Sequence, residues 1–240
     1  MLARWGARFI ADDRIWLNDG VASGFGAPIA VRAGSPFWAH AQALWPNDDS
    51  ERLLLRPVDL GAPTWLREGT IDRLVFPKFE QGARGLKRLG APEAFCRMVG
   101  SLFRKCSPTE LLALATLATR CPAVSITYGD VDTSLQLLGQ FLQLPEAVPA
   151  EAVPAEAEPA EAMPELLDPL ELQEGEFASN IEGIRFGAHV VVWNGSMGQL
   201  VSLGSWSGGP LPDGAAHDQL RELGFLVSRG VANAGSPNRV

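Results

Sequence analysis

Apolar residues recur along this chain at two spacings, and the changes from one to the other predict its elements. Residues 92–104 carry Phe95, Val99, Leu102 and Phe103 on one face at helical spacing. Ser107, Pro108 and Glu110 form a strong start signal: a serine cap, proline at the first helical position, and glutamate three residues past the cap. Leu111, Leu114, Ala115, Leu117 and Ala118 carry that helix to Arg120. Residues 124–128 read as a strand, Gly129-Asp130 as a turn, and Asp130 or Asp132 as the cap of a helix burying Leu135, Leu138, Phe141 and Leu142.

Upstream the pattern is extended. Residues 1–5 read as a last helical turn stopped by Gly6, and residues 7–11 as a strand that delivers Asp12 and Asp13 at its carboxyl end. Residues 14–17 continue it, Asn18-Asp19-Gly20 turns the chain, and residues 21–31 form a second extended piece. Residues 34–65 hold Pro36, Pro46, Pro57 and Pro63 beside Trp38, Trp45 and Trp65, and are expected to be irregular. The apolar run over 71–76, closed by Pro77, suits a buried strand.

From Pro145 to Pro164 the sequence repeats every five residues, PEAVP-AEAVP-AEAEP-AEAMP. Recurring proline blocks a continuous helix and the glutamates repel one another, which predicts an extended, solvated linker. This divides the chain into an α/β main domain over 1–144, a linker over 145–175 and a small β-rich module over 176–230. In the module, 184–193 and 198–203 are expected to be strands joined at Asn194-Gly195, followed by a helix over 215–223, a stop at Gly224 and a short strand over 225–227. The last ten residues are expected to be disordered.

Composition narrows the partners. The chain has 240 residues, 46% of them hydrophobic, and a net charge of −8. That charge argues against non-specific nucleic-acid binding. No apolar run reaches the roughly 20 residues of a membrane span. Cys96, Cys106 and Cys121 have no metal-ligand spacing and read as reduced thiols, so a cytoplasmic protein is expected.

The chemistry lies in Asp12 and Asp13. At a strand end the twist into a loop brings both carboxylates toward one site, where one holds Mg²⁺ and the other accepts a proton from a hydroxyl. An Asp-Asp turn without an ion is the other reading. His40, His189 and His217 lack metal spacing, and Lys78, Arg84, Lys87 and Arg88 are either a phosphate-facing patch or a solvated helix face. Trp16, Trp38, Trp45 and Trp65 line a peptide groove or pack as a satellite core.

The stretch from Gly6 through Ala11-Asp12-Asp13 to Leu17 resembles the strand after the phosphate-loop helix in bacterial HPr kinase/phosphorylase, and more closely its HPr-kinase-related relatives. Residues 27–32, the run 71–84 with Phe76-Pro77 and Gly82-Ala83, and 122–138 with Tyr128-Gly129-Asp130 resemble that family too, in order over most of residues 4–142. The resemblance implies an incomplete P-loop kinase fold of the HPr-kinase/PEP-carboxykinase-like layered kind, and ATP- and Mg²⁺-dependent phosphorylation of a serine on a protein or peptide. It implies Asp12 as base and Asp13 as the magnesium-associated partner, with the order of the two open, and Arg32 as a phosphate or substrate contact.

The departures are plain: no G-x-x-x-x-G-K-[ST] occurs, nor the family's Gly-rich substrate signature. The chain is therefore expected to be inactive as it stands, whether through a start placed too late, degeneration or a split gene. A homo-oligomer or a partner chain supplying the loop would fit, as would a non-catalytic peptide-binding scaffold. The hairpin from His189 to Trp193 and from Gln199 to Val201 is similar to small peptide-chaperone modules of modified-peptide pathways, or is a plain appendage.

Overall fold

The structure, a computed structural model, describes residues 8, 10–11, 15–24, 28–35, 38–45, 51–60, 66–102, 106–142, 162–169, 172, 177–208, 211 and 215–226. The helical turn over 1–5, Asp12, Asp13, the repeats up to residue 161 and the last ten residues lie outside that set. The described chain is mixed α/β, with several separate sheets and few helices. None of its described helices is long and apolar enough to cross a membrane.

In chain order the elements are β1 (Ile15–Asn18), β2 (Val21–Gly24), β3 (Ile29–Arg32), α1 (Trp38–Leu44), β4 (Arg52–Leu55), β5 (Glu68–Thr70), β6 (Leu74–Phe79) and β7 (Arg84–Leu89). Then come α2 (Ala91–Val99), α3 (Pro108–Arg120), β8 (Ala123–Tyr128) and α4 (Val131–Phe141). The last elements are β9 (Glu165–Leu166), β10 (Ile181–Phe186), β11 (His189–Asn194), β12 (Gln199–Ser205) and α5 (Ala215–Glu222). The chain divides into two compact units, residues 1–89 with 120–154 and residues 90–119 with 155–240. This cut differs from the one that composition draws, because α2 and most of α3 group with the residues beyond the linker.

In the first unit β1 and β2 form a hairpin through Asp19 (φ 48°) and Gly20 (φ 76°), a type I′ turn whose twist matches its strands. Strand β5 pairs with the other edge of β2. The stretch 34–65 is not irregular throughout. It contains α1, β4 and a 3₁₀ turn at Pro57–Leu60, because its prolines fall beside or at the start of elements and punctuate them. Strands β3 and β4 pair antiparallel, and Val31, Leu53 and Leu55 bury one face with Ala41 of α1.

The third sheet of this unit has the order β6-β8-β7. Strand β6 runs parallel to β8 and β7 antiparallel to it, so β8 lies between two strands that are sequence neighbours. Pro77 does not close β6, which runs on to Phe79; an edge strand tolerates proline because its outer N–H has no ladder partner. Val124, Ile126 and Leu137 form the core here, with Val75, Leu86, Leu138 and Phe141 against it. Lys78, Arg84, Lys87 and Arg88 lie on strands β6 and β7, not on a helix face.

The second unit centres on the antiparallel sheet β12-β11-β10-β9. The expected single strand over 184–193 is two strands, broken at Gly187 (φ 56°) and Ala188 into a two-residue hairpin with Phe186 opposite His189. Asn194-Gly195 is not a tight turn either: residues 195–198 make a longer loop, with the positive φ at Gly198. Of the expected strand over 225–227, residue 227 lies outside the described residues and Leu226 makes an isolated bridge with Phe177.

Val190, Val191, Val192 and Trp193 are all buried. Consecutive strand residues point to opposite faces, so such a run requires cover on both. One face joins a core with Leu167, Leu172, Phe177, Trp206, Leu220 and Phe225. Helix α2 packs against β11 and β12, and Phe95 stacks near Phe186, which faces away from that core. Leu167 and Leu172, inside the stretch that composition gives to the linker, belong to this core.

Candidate functional site

Local sequence fixes two helix starts, one in each unit. Ser107 and Glu110 close the predicted capping box, with the Ser107 backbone N–H donating to Glu110 Oε2 at 2.9 Å and the Glu110 N–H donating to Ser107 Oγ at 3.3 Å. Asp130, not Asp132, caps α4: it accepts from the Thr133 N–H at 2.8 Å and from Thr133 Oγ1 at 2.7 Å. These two donors, with Arg84 adding to them, hold its carboxyl below the ordinary carboxylate value.

Segments that are distant in sequence meet at the carboxyl end of β8. The link over residues 80–83 crosses this end to carry β6 into β7 on the far side, and Glu80 N–H donates to Tyr128 O at 3.0 Å. A Cβ on Gly129 would lie 2.5 Å from the backbone nitrogen of Gly82, so the crossing requires glycine there. The rings of Phe79 and Tyr128 meet edge to face at 5.8 Å, and Lys78 Nζ pairs with Glu80 Oε2 at 2.9 Å. That pair lowers the Glu80 carboxyl below its ordinary value. Phe76-Pro77, Gly82-Ala83 and Tyr128-Gly129-Asp130 thus share one small sheet and its end. The carboxyl end of a parallel pair is where open α/β sheets bind ligands. Here the N-terminus of α4 is already filled by the Asp130 carboxylate, so it offers no free N–H cradle to a phosphate.

The predicted residues are placed unevenly. Asp12 and Asp13 lie outside the described residues. Just before them Ile10 and Ala11 form no strand, contrary to expectation; they run against β2, where a Cβ on Gly24 would lie 2.7 Å from the Ala11 Cβ. Arg32 ends β3, exposed, with its Cα opposite that of Arg52 on β4. Sequence reading missed Arg52. No period marked it, because Leu53, Leu54 and Leu55 are all apolar and their alternating burial shows only in the structure.

Two other features were also invisible in sequence. His189 Nε2 lies 2.7 Å from Ser202 Oγ, brought there by a bulge between Val190 and Val191. Cys96 is pushed up to about 11 by burial and by Glu93, which leaves its thiol a poor nucleophile. Among the described residues no group of His, Cys, Asp or Glu is arranged to hold a metal. Comparison with known proteins finds no family model, no curated protein and no solved structure that matches the chain.

Proposed function

We propose that residues 4–142 correspond to the part of an HPr-kinase/phosphorylase-like P-loop domain that follows the phosphate loop. The ancestral reaction is transfer of a phosphoryl group from Mg-ATP to a serine hydroxyl of a protein or peptide in the cytoplasm. In this reading Asp12 is the base, Asp13 the magnesium-associated partner, and Arg32 a phosphate or substrate contact. The observation that supports it is the meeting of Gly82-Ala83 with Tyr128-Gly129-Asp130 at the end of β8, where two family-like segments converge.

The residues present do not fit ATP. The sequence has no Gly-rich loop with its lysine. The start of α4, in the same unit as β8, is closed by its own side chain, Asp130. We therefore derive no phosphoryl-transfer step and assign these 240 residues no kinase activity on their own. A non-catalytic role in binding a protein or peptide is favoured by Leu44 and Trp45, exposed at the end of α1, with a homo-oligomer or a loop-supplying chain as further partners.

Isothermal titration with Mg-ATP of the wild-type chain and of Asp12→Asn/Asp13→Asn tests this. No heat from a folded protein is the expected result. Saturable heat that the double variant weakens would overturn the claim of inactivity.

A further inference from the structure

We draw no further inference here: the strongest candidate, the outer edge of the β12-β11-β10-β9 sheet along uncharged β12, is interrupted by the bulge opposite Val190 and Val191, and nothing in the structure shows what covers it.

Discussion

The rings of Phe95 and Phe186 lie 5.5 Å apart with planes tilted by 55°, which joins a helix that precedes the Pro-Glu repeats to a strand that follows them. Phe95 is 1% exposed. It covers the face of the β9–β12 sheet that the core around Phe177 and Phe225 leaves open. Phe95→Ala should cost about 3–5 kcal/mol. Its signature should be non-local: amide exchange in β10 and β11, some 90 residues onward, should accelerate in hydrogen-exchange mass spectrometry. Unchanged exchange there would refute the idea that α2 completes this sheet.

Gly129 and Gly85 make a controlled pair on one sheet. A Cβ on Gly129 meets the backbone of Gly82 and Ala83, at 2.5 Å from Gly82 N and 3.1 Å from Ala83 N, and backbone cannot swing aside as a side chain does. Gly129→Ala should therefore destabilise by about 1–3 kcal/mol. At Gly85 the nearest atom to such a Cβ is Thr127 Cβ at 4.0 Å, so Gly85→Ala should stay within about 0.5 kcal/mol of wild type. Urea denaturation of both variants checks the contrast, and equal effects would mean that the crossing over β8 is not tight.

Asn194 is a buried polar residue whose side-chain oxygen and nitrogen both find partners. Its Oδ1 accepts from Asn180 Nδ2 at 2.9 Å, Ser196 N–H at 3.1 Å and Met197 N–H at 3.2 Å, and its Nδ2 donates to Gly224 O at 3.2 Å. Truncation removes four hydrogen bonds at once, from partners on exposed or half-buried residues. Asn194→Ala should cost about 3 kcal/mol, measured as a fall in the denaturation midpoint. Asn194→Ser, which restores only a small part of this network, should recover little of it.

Glu182 predicts a pH dependence. Its Oε2 is buried without a hydrogen bond, and burial raises its carboxyl above the ordinary 4.5. The folded state thus holds the proton more tightly than the unfolded one. The stability this contributes is complete below 4.5 and is lost as pH rises through the folded value. Glu182→Gln removes that loss, so its advantage over wild type should be larger at about pH 7 than at about pH 4. A constant difference between the two pH values, read from urea midpoints, would show that the carboxyl is solvated.

What could be read in advance was whatever a few adjacent residues encode. Ser107 and Glu110, Asp130 and Thr133, and the Asp19-Gly20 turn each satisfy backbone groups within four positions, so the chain announces them without reference to the rest of the fold. Helices α3 and α4 were legible through these caps, and α2 and β8 through their apolar spacing, although α2 ends at Val99 and, against the spacing over 92–104, does not carry Leu102 inward. Of the candidate site, the sequence supplied Arg32 but not its neighbour.

Tertiary structure decided the pairings. Strands β6 and β7 are joined by a short link that looks like a hairpin, yet β8 from some 40 residues later inserts between them. The Val190–Trp193 run carries no period, because both of its faces are covered and alternation has nothing to separate. Arg32 and Arg52 are twenty residues apart with prolines between, and only the register of β3 on β4 makes them neighbours. Capping and tight turns are settled by hydrogen bonds that close over a single turn, and so the sequence alone determined them. Register, strand order and the covering of a second face depend on which distant surfaces bury one another, and that was settled only when the whole chain was folded.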